Sequence, residues 1–123
     1  MIIFNRRHFN CKTLLLAGIF LALISCGAKD EPFSWKKDEW DASLENCEEK
    51  RMDYAREVVD KRASILGWTQ NDITDLFGAP SRHRLSDRNQ KFFYYNLDCE
   101  ASRDLSMRFD AMGRLREVQV IQN

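Results

Sequence analysis

The sequence predicts a small α+β domain on three observations. A helical pattern runs from Trp40 to Ile65, a short capped helix occupies Thr69 to Phe77, and three extended segments follow. The chain has 123 residues, enough for one domain and not two. Charged residues make up 31% and hydrophobic residues 44%, an ordinary globular mix without disordered or collagen-like bias.

The N-terminus has the three parts of an export signal over residues 1–25. Arg6, Arg7 and Lys12 form the basic part, and no acid stands among them. Thr13 to Ile24 form an apolar run of 12 residues. A membrane span needs roughly 20, so the run fits a cleaved signal better than an uncleaved single-pass anchor. Its end, Leu23-Ile24-Ser25-Cys26, resembles the lipobox of bacterial lipoproteins. That resemblance implies cleavage before Cys26 and a covalent lipid on it, with no other cofactor. Two or more acyl chains anchor a protein stably, where one holds it weakly. Gly27 after the cysteine, where an Asp is absent, implies by the same resemblance sorting to the outer membrane, with the domain facing the periplasm.

From residue 26 onward 16 bases face 19 acids, a net charge of −3. That balance does not suggest a nucleic-acid partner. Residues 26–38 contain Gly27, Pro32 and several charges with little periodicity, and read as a flexible tether leading to a domain over 39–123. Phe33, Trp35 and Trp40 are unusual for a linker. Either they anchor at the headgroup level or they pack on the domain.

Between Trp40 and Ile65 the apolar positions Trp40, Leu44, Cys47, Tyr54 or Ala55, Val58, Val59, Arg62 and Ile65 step by three and four, with one weak turn near Arg51. The spacing predicts one long helix, started by Asp41 or Ser43. Its other face carries Glu45, Glu48, Glu49, Lys50, Arg51, Asp53, Arg56, Glu57, Asp60 and Lys61. These charges read as a solvated face with pairs such as Glu57–Lys61.

The next helix has both ends marked. Thr69 is a good N-cap and Asp72 favours the first turn. Ile73, Leu76 and Phe77 make one apolar face. Gly78 can take a left-handed conformation, and Pro80 forbids continuation. A helix this short is marginal alone, so it must rest on the sheet that follows. Lys91 to Leu97 is aromatic and strand-forming. Leu105, Met107 and Phe109 alternate with Ser106 and Arg108 as in a half-buried strand. Leu115 to Ile121 makes the third strand, joined by Asp110-Ala111-Met112-Gly113. If Phe109 opposes Leu115, Val118 and Val120 fall on the wrong face unless a bulge intervenes.

The order Leu66-Gly67-Trp68-Thr69, then Ile73, Leu76, Gly78 and Pro80, then Phe93-Tyr94, then Phe109-Asp110 and Gly113-Arg114-Leu115 resembles the SmpA/OmlA (BamE-like) lipoprotein family. The similarity spans about residues 65–121. It implies two helices packed on a three-stranded antiparallel sheet (ααβββ), a layout shared with repeats of the β-lactamase inhibitory protein. It also implies an envelope accessory protein with a protein partner, in particular the β-barrel assembly machinery. The inhibitor-like layout leaves open a lipoprotein inhibitor or sensor that binds an envelope enzyme or wall ligand. Where the family carries exposed apolar residues after the proline, this chain has Ser81-Arg82-His83-Arg84-Leu85-Ser86-Asp87-Arg88-Asn89-Gln90. Arg82, Arg84, Arg88 and Phe92 are therefore the candidate contacts to anionic headgroups or an acidic partner, against the alternative of a solvated loop.

Cys47 and Cys99 remain after the signal and the lipidated Cys26. In an oxidising compartment an even pair favours a disulfide. It closes a loop of about 50 residues, stabilising by roughly 4 kcal/mol in the chain-entropy treatment. A redox-active pair lacks the C-x-x-C spacing. His83 is the only histidine after the signal, and no Ser, Cys or second His is placed beside it. With no phosphate loop or dinucleotide fingerprint, the expectation is a protein without catalytic or metal-binding residues.

Overall fold

The computed structural model describes residues 31–123. The expected signal peptide, the expected lipid site at Cys26 and the first residues of the expected tether lie outside the described residues. The elements run α1 (Lys37–Glu45), α2 (Lys50–Asp60), a 3-10 turn (Arg62–Ser64), α3 (Gln70–Phe77), β1 (Arg82–Leu85), β2 (Lys91–Asn96), β3 (Arg103–Phe109) and β4 (Leu115–Gln122). The strands form one antiparallel meander in the order β1-β2-β3-β4. The class is α+β, with three helices and four strands where two and three were expected.

The single long helix is replaced by α1 and α2. The chain turns at Asn46–Glu49, and Cys47 adopts φ 54°, which a continuing helix forbids. Two linked causes hold the break. The Cys47–Cys99 disulfide, with Cα atoms 5.6 Å apart, ties this turn to the β2–β3 connection. The second cause is Arg51, expected on the solvated face, which is only 3% exposed. Its guanidinium stands 3.8 Å over the Trp40 ring. Nη1 donates to the Trp40 carbonyl and to Ser43 Oγ, and Nε donates to the Asn96 carbonyl at 2.7 Å. One cation thus bonds α1 and β2 from the start of α2. Arg62, expected on the apolar face, is exposed in the 3-10 turn.

α3 forms as its ends dictate. Thr69 Oγ1 accepts from the Asp72 N–H and Asp72 Oδ2 accepts from the Thr69 N–H, both at 3.1 Å. Gly78 closes the helix with φ 79°. Ile73, Leu76 and Phe77 are buried. They face the inner side of the sheet with Phe93, Tyr95, Leu105, Met107, Phe109, Leu115 and Val118. The bulge in the last hairpin is present: Phe109 opposes Leu115, while Arg108 opposes Glu117. The extra residue, Arg116, turns out to bond Asp110 Oδ2 at 2.6 Å, and Val118 and Val120 join the inner face opposite Met107 and Leu105.

Of the expected tether over 26–38, residues 31–38 are described, and part of that stretch packs into the fold. Phe33 and Trp35 are buried and belong to the core. Their rings begin an aromatic series. Phe33 stacks on Trp35 at 5.3 Å and Trp35 on Trp40 at 5.1 Å. Trp40 meets Phe77 edge-on at 5.3 Å, and Phe77 reaches Tyr95 at 5.5 Å. Between the first two rings, the Ser34 N–H and hydroxyl both donate to the Glu57 carboxylate. Burial acts to raise the Glu57 carboxyl, but hydrogen bonds from Ser34 and Lys61 outweigh it and hold it below the usual range.

Two outcomes follow from this packing. Arg51→Ala strands buried carbonyls and removes the contact with Trp40, so urea unfolding should show a loss of about 3 kcal/mol. For Glu57, a depressed folded pKa means its contribution is complete above the ordinary Glu value of about 4.3 and is lost as pH falls through the folded value. The protection of the Ser34 amide, its exchange rate relative to the intrinsic rate at the same pH, should therefore fall in acid, and Glu57→Gln should flatten that dependence.

Candidate binding surface

The helices cover one side of the sheet. The other side carries the residues that alternate with the core positions. Across it, Arg82 opposes Tyr94 and Tyr94 opposes Ser106; Arg84 opposes Phe92 and Phe92 opposes Arg108. Ser81 to Gln90, expected as a loop, thus contains a fourth strand and a tight turn. The turn is a 3-10 segment, Asp87–Asn89, with Arg88 at φ 62° and Asn89 at φ 59°. All four residues of β1 are exposed, which hides the buried alternation by which strands are recognised.

The arginines hold the strand in place. Phe92 and Tyr94 stack in parallel, 6.0 Å apart with 7° between planes. Arg82 lies 4.0 Å over the Tyr94 ring, and Arg84 lies 4.6 Å over Phe92. The guanidinium of Arg84 also donates twice to the Tyr94 hydroxyl, from Nε at 3.3 Å and Nη2 at 3.1 Å. Two cations and two rings therefore form a ladder on the outer face of the β1–β2 hairpin.

The structure brings Arg82, Arg84 and Phe92 together and sets Arg88 apart at the turn. Their partners differ. Arg82 Nη2 donates to Asp104 Oδ2 at 2.6 Å, and Asn123 Nδ2 donates to the same oxygen at 3.1 Å. Asp104 is wholly buried, and its Oδ1 has no hydrogen-bond partner. Arg82 thus neutralises a carboxylate that water does not reach. Arg84 meets the Tyr94 hydroxyl and the Phe92 ring, and makes no ion pair among the described residues. Among the described residues Arg88 makes no ion pair. Sequence reasoning missed Asp104, Tyr94 and Asn123. Asp104 stands out from a strand otherwise alternating apolar with Ser106 and Arg108, and that was the available signal.

A groove of about 300 Å³ lies on the other side, between α1, the exit of α3 and β2. Trp40, Phe77 and Tyr95 contribute its aromatic wall, and Asp41, Glu45 and Arg51 its charges. Burial pushes Arg51 down to about 10, opposed by Asp41. Burial also pushes the Tyr95 phenol up, opposed by Arg51, and its hydroxyl donates to the Gly78 carbonyl at 2.9 Å. Near pH 7 Arg51 keeps its charge and Tyr95 its proton.

The most exposed large apolar side chains, Leu66, Leu85 and Met112, gather at the end of the sheet that carries the β1–β2 and β3–β4 turns. Leu85, Lys91, Phe109 and Leu115 form one row across the four strands, Met112 sits in the turn after Phe109, and Leu66 precedes Gly67, whose N–H bonds the Leu115 carbonyl. His83 is exposed on β1 opposite Phe93. Among the described residues no three His, Cys, Asp or Glu side chains group as a metal site, and no helix is long and apolar enough to cross a membrane. A scan against family models and searches of curated proteins and solved structures found no match.

The partners divide the arginines by substitution. Arg82→Ala leaves the Asp104 carboxylate buried with less compensation, and should lower unfolding free energy by about 2 kcal/mol, half-exposure of the arginine moderating the loss. Arg88→Ala should stay within about 0.5 kcal/mol of the parent. Equal effects in a denaturant titration would contradict the division.

Proposed function

We propose that this chain is a lipid-anchored accessory protein of the bacterial envelope, held at the outer membrane through Cys26 and facing the periplasm. It acts by presenting a binding surface to envelope proteins, in the assembly of outer-membrane β-barrels. It does so without catalytic chemistry of its own. The lipobox at Cys26 and the likeness of residues 65–121 to SmpA/OmlA lipoproteins support this reading.

One structural observation bears on the anchor: Phe33, seven residues after Cys26 in the sequence, is already buried in the core, so little chain separates the proposed lipid from the domain. The Arg84 and Arg88 end of the hairpin is its free basic surface. The groove beside Arg51 favours a second reading, an inhibitor or sensor that takes one side chain of an envelope enzyme or a wall ligand.

Cell fractionation and deletion test the proposal together. Cys26→Ala should abolish palmitate labelling and release the protein from the membrane fraction. Deletion should lower outer-membrane porin levels and raise detergent sensitivity. Intact barrels with altered activity of one envelope enzyme would favour the second reading, and unchanged labelling in Cys26→Ala would remove the anchor.

A further inference from the structure

We infer that β1 is a docking edge that accepts an extended acidic strand from a partner protein, extending the sheet from four strands to five. The inference rests on the accessory-protein reading for its setting, but its chemistry concerns β1 alone. β1 pairs with β2 on one side only. The N–H of Ser86 bonds the Gln90 carbonyl, beyond the four paired residues of β1. Bonded pairs alternate along an antiparallel ladder. This phase commits Arg84 and Arg82 to β2 and turns the backbone groups of His83 and Leu85 toward the open edge. An added strand would find donors and acceptors there at the spacing strand pairing requires.

The opposite edge is less available. At the start of β4 the Leu115 carbonyl accepts from the Gly67 N–H, and its N–H donates to the Trp68 carbonyl, both at 2.8 Å. Arg114 bridges to Thr69 in the same register. β4 also carries charges of both signs, Arg116 and Glu117, each paired within the sheet.

Charge decides the occupant. Exposed edges attract any strand unless something discriminates. Around β1, Arg84, Arg88 and Lys91 have no carboxylate partner among the described residues, and Asp87 is the one acid in that stretch. Arg82 is already neutralised by Asp104. A second copy of this chain, pairing edge to edge, would bring Arg84 and Arg88 against their equivalents and be repelled. A strand with carboxylates on the Arg84 side is drawn in. Leu85, 70% exposed, points to the other face. The complementary sequence therefore alternates acidic and apolar residues. Arg84 is fixed over Phe92 and by Tyr94, so little side-chain freedom is lost when it meets a carboxylate.

The test uses the full chain in detergent micelles and fluorescent six-residue peptides, read by anisotropy. An alternating Glu-Val peptide should bind, and a Lys-Val peptide should bind at least tenfold more weakly. Raising salt should weaken the Glu-Val complex. His83→Pro removes an edge N–H without touching the bonds to β2 and should weaken binding at least tenfold. The double change Arg84→Glu, Arg88→Glu should reverse the preference between the two peptides. Should His83→Pro unfold, the decision passes to the peptide: N-methylation at alternate residues along one edge should abolish binding to the unaltered protein. Equal binding of the N-methylated peptide, or of anionic vesicles in competition with it, would show charge attraction without strand pairing and overturn the inference. The assay is indifferent to lipidation and to porin levels, so its failure and that of the envelope reading are separable.

Discussion

The fold depends on one continuous aromatic contact. Phe33, Trp35, Trp40, Phe77 and Tyr95 touch in series, from the leading segment through α1 and α3 to β2. Phe93 and Phe109 extend the series across the sheet, the last pair 4.8 Å apart. Large rings bury much area each and gain from edge and offset geometries. α3 is too short to stand alone, and its Phe77 sits at the centre of this series. Remove the leading rings and one side of Trp40 and Phe77 faces water. The segment before α1 is therefore structural, although its composition is that of a linker.

Arg51 sets the second constraint. A buried guanidinium is costly unless its donors are bonded. Here they reach the Trp40 carbonyl and Ser43 on α1, and the Asn96 carbonyl on β2. The disulfide lies nearby, joining the same turn to the connection after β2. Covalent and polar ties thus converge where the helical layer meets the sheet. The break between α1 and α2 serves this convergence, because a straight helix through residue 47 would not allow the positive φ of Cys47.

What the sequence shows and hides follows from locality. The caps of α3 lie within ten residues of one another, and Thr69, Asp72 and Gly78 act as their types dictate. The bulge in the last hairpin was legible as a conflict: Phe109 against Leu115 puts Val118 out of phase, and one extra residue removes it. β1 was not legible, since an exposed strand held by Arg–aromatic stacking has no apolar alternation. The inward turn of Arg51 was hidden for a different reason. Its partners are 8 to 45 residues away, and no local pattern distinguishes it from the charges beside it. Phe33 and Trp35 were ambiguous because an aromatic residue in a polar stretch suits a membrane interface and a core equally.

The same locality explains why three arginines in one stretch are not equivalent. Spacing alone groups Arg82, Arg84 and Arg88 as a basic patch. The register separates them. Arg82 reaches diagonally across Tyr94 to buried Asp104, two residues along β3 from its own row, and is consumed by it. Arg84 faces Phe92 and Tyr94, which fix its position without cancelling its charge. Arg88 occupies a left-handed turn with no counter-ion among the described residues. A charge that is both placed and uncompensated is the kind that selects a partner, because attraction then comes at small entropic cost. By that criterion, in the docking proposed for β1, Arg84 would dominate recognition, Arg88 would add long-range attraction, and Arg82 would contribute by keeping the strand that carries both of them against β2.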